Sequence, residues 1–121
     1  MPTNPLSNLV NNQFVPIKWT GLKFTYEFQL DLIGVPYSPI PGVYIFCKHL
    51  GNGNYAGLYV GETDNLWRRL TNELGSHHRW DAVRLHGATH ISTLRVDGGL
   101  AKRLEIETDL RNSMNPPCNK Q

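Results

Sequence analysis

Apolar and polar positions along the 121-residue chain fall into blocks of different period. The sharpest block is Pro41–Gly61, PGVYIFCKHLGNGNYAGLYVG. Two short apolar runs, Val43–Cys47 and Leu58–Val60, flank a loop rich in glycine and asparagine. This pattern predicts a β-hairpin. Strand alternation puts Val43, Ile45 and Cys47 on one face and Tyr44 and Phe46 on the other. With a turn centred on Gly51-Asn52 or on Asn52-Gly53, Tyr44 and Tyr59 share a face, a parity that a bulge in the loop would break. Upstream, Phe24, Tyr26 and Phe28 alternate with Thr25, Glu27 and Gln29, which favours a strand. Gly34–Pro41, with Pro36, Pro39 and Pro41, reads as a stiff connector into the hairpin. Met1–Asn12 is polar and reads as a loose terminus.

Downstream of the hairpin the period changes. Leu66, Leu70 and Leu74 recur every fourth residue, Thr63 or Asp64 supplies an N-cap and Gly75 a stop, which together predict an amphipathic helix. Ser76–Gly87 reads as a short helix and turn around Trp80, Val83 and Leu85. Ala88–Val96 reads as a third strand with Asp97-Gly98-Gly99 as its exit. The last helix runs from about Gly99 to Met114. On its wheel Leu100, Leu104, Ile106, Leu110 and Met114 form the apolar stripe, Glu107 falls inside that stripe and Glu105 falls opposite it. Pro116 and Pro117 stop the helix and stiffen the tail, so that Asn119 can be held against the domain. The expected fold is α+β: a small, mainly antiparallel three-stranded sheet flanked by helices over residues 41–121. Residues 1–40 form an N-terminal extension that packs on this domain or precedes it.

Composition adds little to this picture and excludes some classes. Hydrophobic residues at 40% and charged residues at 18% fit one ordinary globular domain. The net charge of +2 is too small to name a partner. Arg68, Arg69, His77, His78, Arg79, Arg84 and His86 nevertheless crowd into one segment, a pattern shared by nucleic-acid surfaces and by solvated helix faces. No apolar run approaches ~18 residues, so no membrane span is expected. The chain has no basic, apolar leader. Cys47 and Cys118 therefore read as reduced structural thiols in a cytoplasmic setting, and no Cys/His pair has zinc-ligand spacing.

Glu107 is the first candidate for chemistry. A carboxylate among core-facing residues costs several kcal/mol of desolvation unless it is paired or bound to a metal. Arg103 and Arg111 stand four residues to either side, so an intrahelical ion pair and a functional role both explain it. Arg68 points away from the leucine stripe. Arg69 lies nearer its border and can lean over the sheet, or it can serve as a surface ion-pair partner.

Taken together, these residues resemble the GIY-YIG nuclease domain. The first motif is Gly42-Val43-Tyr44 and the second Tyr59-Val60-Gly61. The family next places an arginine in the following helix, matched by Arg69 within Asn65–Leu70. It then places a glutamate in a later helix, matched by Glu107, and an asparagine beyond a proline, matched by Asn119 after Pro116-Pro117. The stretch Glu107–Asn119 is similar to its counterpart in bacterial excision-repair incision proteins. The resemblance spans about Pro41 to Asn119, with five positions in order. It implies a metal-dependent endonuclease that hydrolyses DNA phosphodiester bonds, with Mg²⁺ or Mn²⁺ held by Glu107. Tyr44 would accept the water's proton, Tyr59 orient the phosphate or the water, Arg69 contact the scissile phosphate, and Asn119 fix the Glu107 end of the site. For that role the Tyr44 phenol needs nearby positive charge to lower its pKa, or a hydrogen bond to hold it. Arg68, His77, His78, Arg79 and Arg84 are candidate DNA contacts.

The chain also departs from the family. Many members carry a histidine or tyrosine one turn after the arginine, where this chain has Glu73; either His77 or His78 takes its place or the role is absent. The first forty residues match nothing in the family, and no separate DNA-binding domain is recognisable. A non-catalytic nucleic-acid-binding module, or a subunit that cuts only within a larger complex, therefore stands beside the nuclease reading.

Overall fold

The structure, a computed structural model, describes residues 15–120, so the polar terminus Met1–Asn12 lies outside the described residues. The hairpin forms as its pattern requires. Strands β3 (Gly42–Gly51) and β4 (Asn54–Thr63) meet at Asn52-Gly53, whose φ angles of +55° and +76° suit a type I′ turn. Two register shifts interrupt the ladder. Leu50 is an extra residue on β3 and Leu58 an extra residue on β4. One shift cancels the other, so Tyr44 pairs with Gly61 and Phe46 with Tyr59. Tyr44 and Tyr59 thus share a face in spite of the bulges.

The sheet has five strands, not three. Strands β1 (Pro16–Thr20), β2 (Thr25–Leu32) and β5 (His90–Arg95) complete it in the order β1-β2-β5-β3-β4, antiparallel throughout. The alternation around Phe24–Phe28 marks a strand correctly, but its partner β5 lies some sixty residues away and leaves no local signal. The indole N–H of Trp19 on β1 donates to Ser92 Oγ on β5 at 2.9 Å, which ties the outer hairpin across β2.

Both faces of the sheet are covered, so every residue from Gly42 to Cys47 is buried. On one face Phe28, Leu30, Val43, Ile45 and Val60 pack with Ile106 and Leu110 of a long helix. On the other, Tyr44, Phe46, Tyr59 and Ile91 pack with Leu66, Leu70, Val83 and Cys118. Val83 comes from the short helix α1 (Trp80–Leu85), and the long helix is α2 (Gly99–Met114). Cys47 and Cys118 are buried free thiols.

The segment after the hairpin is not the regular helix that its leucines suggest. Asn65, rather than Thr63 or Asp64, caps it: its Oδ1 accepts the Arg68 N–H at 2.9 Å. The chain then passes through a π-helical turn (Arg68–Asn72) and a 3₁₀ turn (Leu74–Ser76). The wider π turn changes the angular step, so Leu66 and Leu70 are buried while Leu74 reaches the core only partly.

Helix α2 is also rotated from its expected phase. Leu100 and Leu104 are 53% and 42% exposed, whereas Arg103, Ile106, Asp109 and Leu110 face inward. Two buried polar anchors set this rotation. Arg103 Nε donates to Glu62 Oε1 on β4 at 2.7 Å. The Asp109 carboxylate accepts from the Lys23 N–H at 2.9 Å, the Phe24 N–H at 3.3 Å and the Tyr26 hydroxyl at 2.7 Å. Gly21 is required at that turn, because a Cβ would overlap the Asp109 carboxylate. Burial alone would raise the Asp109 pKa. The Tyr26 hydroxyl and the backbone N–H groups together outweigh burial and hold the carboxyl below its usual range.

A pH dependence follows. The unfolded chain takes up this proton first, at about pH 4, so the contribution of Asp109 is complete above that value. It disappears as pH falls through the lower, folded value. Asp109→Asn should melt earlier than the unmodified chain at neutral pH, and the two should converge toward pH ~2. Thermal melts across that range test this; a constant difference at every pH would contradict it.

Candidate active site

The candidate residues gather where β4 forms the rim of the sheet. Gly61 leaves room for two phenols: a Cβ there would lie 2.5 Å from Tyr44 Cζ and Oη and 2.8 Å from Tyr59 Cε2. The glycine of the second motif is thus a close-approach position. Gly42 in the first motif has the same role, since its Cβ would sit 2.5 Å from the Leu94 carbonyl oxygen. The two tyrosine rings are 6.1 Å apart by centroid.

The phenols differ in exposure. Tyr44 is wholly buried, and its hydroxyl lies 2.7 Å from His77 Nε2. Tyr59 is 8% exposed, and its hydroxyl stands 3.5 Å from Nε2 of the exposed His78. The two imidazoles stack 4.8 Å apart at an angle of 14°. Arg69, half-buried, lines a cleft of about 190 Å³ with Glu73, Ser76, His77 and His78.

Burial dominates the electrostatics. It pushes the Tyr44 phenol well above its usual value; the neighbouring Tyr59 and Glu107 add to this and Arg69 only partly offsets it. Tyr59 is raised by burial and by Glu107, against Arg69 and Arg111. The expected lowering of the Tyr44 pKa is therefore absent, and both phenols of the site are neutral at pH 7. Of the two means of holding Tyr44, the hydrogen bond is the one present. Burial, followed by the His78, Arg69 and Arg79 charges, lowers His77 to about 4.

Glu107 is half-buried and Glu105 exposed. Burial raises the Glu107 carboxyl, Arg111 opposes this and Glu62 reinforces it. The intrahelical pair with Arg103 does not form, because Arg103 is committed to Glu62. Among the described residues Glu107 has no ion-pair partner within 4.0 Å. Arg69 and Glu107 both act on Tyr44 and on Tyr59, so the two phenols lie within Coulombic reach of a cation and of a carboxylate.

Asn119 is held as expected but on a different partner. Its Oδ1 accepts the Val60 N–H at 2.8 Å and its Nδ2 donates to the Val60 carbonyl at 2.9 Å. It therefore fixes β4 between Tyr59 and Gly61 and makes no hydrogen bond to Glu107 among the described residues.

The proposed DNA contacts separate into distinct environments. Arg68 pairs with Asp64 at 2.5 Å, and the Arg84 guanidinium lies over Trp80, 5.8 Å from the ring centroid. Arg79 is half-buried and His78 exposed. His77 is buried against Tyr44, Phe46 and Tyr59 and so is not a surface contact. Of the alternatives left open for the family's helix histidine, His77 is the one beside Tyr44, while the proximity of Glu62 is not expected from spacing and its adjacency to Gly61 is the one available signal.

Among the described residues no group of three or more His, Cys, Asp or Glu side chains could hold a metal. One unpaired carboxylate oxygen donor does not suit zinc. It does fit a hard divalent ion that keeps most of its waters.

No protein-family model matches the sequence, and no curated protein matches it. Solved structures do. Two tyrosine-to-phenylalanine variants of the GIY-YIG N-terminal endonuclease domain of UvrC from Thermotoga maritima superpose with a TM-score of 0.55 each, at 25% and 24% identity. Each match covers 69% of this chain and 87% of the other. Both variants are bound to the catalytic divalent cation of that domain. The curled antiparallel sheet, the two tyrosine motifs on one face and the long helix along β4 thus occur in a chain whose fold is GIY-YIG-like.

Proposed function

We propose that this protein is a divalent-metal-dependent endonuclease that hydrolyses DNA phosphodiester bonds, using Mg²⁺ or Mn²⁺. The observation that carries this reading is Glu107, a half-buried carboxylate without an ion-pair partner among the described residues, in electrostatic reach of two phenols on which Arg69 also acts. The catalytic cation in the UvrC neighbours supports it.

Glu107 would hold the ion, which when bound supplies polarisation of the phosphoryl group and a more acidic water. The Arg69 guanidinium contacts a phosphate oxygen and offsets the charge that develops there. Tyr59, the slightly more exposed phenol, orients the phosphate or the attacking water as the resemblance implies, and Tyr44 acts beside it through its hydroxyl. A neutral phenol accepts a proton from water only while releasing its own, so Tyr59 serves as a relay or an orienting donor. Asn119 keeps Tyr59 in place through Val60. His78 and Arg79 flank this point and, together with Arg84, take the backbone phosphates of DNA. Among the described residues no helix is long and apolar enough to cross a membrane.

The test is incubation with plasmid and with single-stranded, duplex and branched DNAs, in Mg²⁺, Mn²⁺ or chelator. Metal-dependent cleavage that stops with chelator is expected. Salt-sensitive binding without cleavage under every condition would assign the chain to the binding-module class instead.

A further inference from the structure

His77 makes two hydrogen bonds of defined direction. The Arg79 backbone N–H donates to His77 Nδ1 at 3.0 Å. A backbone N–H cannot accept, so Nδ1 must be bare, and the neutral ring then carries its proton on Nε2. The ring is 6% exposed and enclosed by Tyr44, Phe46 and Tyr59. His78, Arg69 and Arg79, all potential or permanent cations, surround it and disfavour an imidazolium. Nε2 lies 2.7 Å from Tyr44 Oη. The bond between them consequently runs from the histidine to the phenol.

Of the other polar groups that act on Tyr44, which are Tyr59, Arg69 and Glu107, the Arg69 guanidinium offers only donors. With His77 and Arg69 both donating, the Tyr44 hydroxyl proton has no acceptor in either of them. We propose that His77 is a positioning residue for Tyr44: locked as the Nε2–H tautomer by the Arg79 backbone, it donates to Tyr44 Oη and turns the phenol's own proton toward the anionic oxygen bound at the site. The identity of that oxygen, phosphate or hydroxide, rests on the endonuclease reading; the directions of the two bonds do not. The arrangement also separates the tyrosines. The 3.5 Å approach of Tyr59 to His78 is at the limit of a hydrogen bond, so Tyr44 has the shorter and more firmly directed contact.

Two measurements test this on the full chain. Long-range ¹H–¹⁵N correlation with ¹⁵N-histidine at neutral pH reads the tautomer directly. His77, assigned by loss of its signals in His77→Phe, should appear as Nε2–H. Its Nε2 proton should exchange slowly and become fast in Tyr44→Phe. An Nδ1–H tautomer, an imidazolium, or no response to Tyr44→Phe would overturn the proposal. In cleavage, His77→Gln keeps an N–H near the Nε2 position and should stay within about threefold of the unmodified kcat, whereas His77→Phe should lose about 10- to 30-fold with KM little changed. Equal kcat for the Gln and Phe variants, with equal melting temperatures, would also overturn it. If the unmodified chain cuts no DNA, the endonuclease reading fails, and the tautomer result still decides whether His77 directs Tyr44.

Discussion

Glu107→Gln should reduce metal-dependent cleavage by about a thousandfold, while Glu105→Gln should leave it within about twofold. The two carboxylates are two residues apart on α2, yet their surroundings differ. Glu105 is exposed and lies 3.7 Å from Lys102 on the same helix. Glu107 is half-buried, lacks an ion-pair partner within 4.0 Å and is further disfavoured by Glu62. Glutamine keeps the shape of the side chain and removes its charge, so the ion loses its anionic ligand while packing is preserved. The same substitution carries a second, opposite expectation. A partly desolvated carboxylate repelled by Glu62 is unfavourable without a cation, so Glu107→Gln should melt no lower than the unmodified chain in chelator, and should lose the stabilisation that Mg²⁺ or Mn²⁺ gives the unmodified chain. Calorimetric metal titration and thermal melts with and without metal separate the two cases. A variant that is inactive because it is unstable in chelator would make Glu107 a structural residue.

Gly61→Ala should destabilise the fold by about 1–3 kcal/mol and remove most of any cleavage activity. The added Cβ would stand 2.5 Å from both Tyr44 Cζ and Oη, and the ring cannot retreat. Phe46 and His77 pack edge-on against it with centroids at 5.6 and 5.7 Å. Any movement that relieves the overlap shifts Tyr44 off His77 or pushes Tyr59 out of line. Gly75→Ala is the control: nothing lies within 4 Å of its Cβ position, and its φ is not positive. That variant should match the unmodified chain or exceed it slightly. Denaturant titration of both proteins gives the comparison, and equal stabilities would show that Gly61 is not a close-approach position.

What could be read from the chain beforehand follows the range of the forces involved. The β3–β4 hairpin is local, and its alternation and glycine-asparagine loop are legible at once, with two turn centres left open. The bulges at Leu50 and Leu58 are not, because each cancels the other and the tyrosines keep their shared face. The β1–β2 hairpin shows its own alternation, but its attachment to β5 depends on a contact distant in sequence. The wheel of α2 misplaces the buried face because a hydrophobic count sends Arg103 and Asp109 to solvent, where their buried partners Glu62 and the Lys23–Tyr26 segment cannot be seen. Glu107 nonetheless stays apart from Glu105 in both descriptions, since half-burial survives the rotation. For His77 the sequence leaves a choice open, with His78 or with no such role at all. A histidine among arginines reads as a wet surface, and only the tertiary position of Phe46 and Tyr44 makes it an interior group.

Strand β4 is the last in the sheet, and its outward backbone at Val60 offers one donor and one acceptor to any neighbour of strand shape. The Asn119 amide fills both, imitating a further residue of β-structure without adding a strand. The tail that follows α2 is thereby a stopper against self-templated growth: a chain cut back to Met114 would present a bare rim on which a second copy can zip.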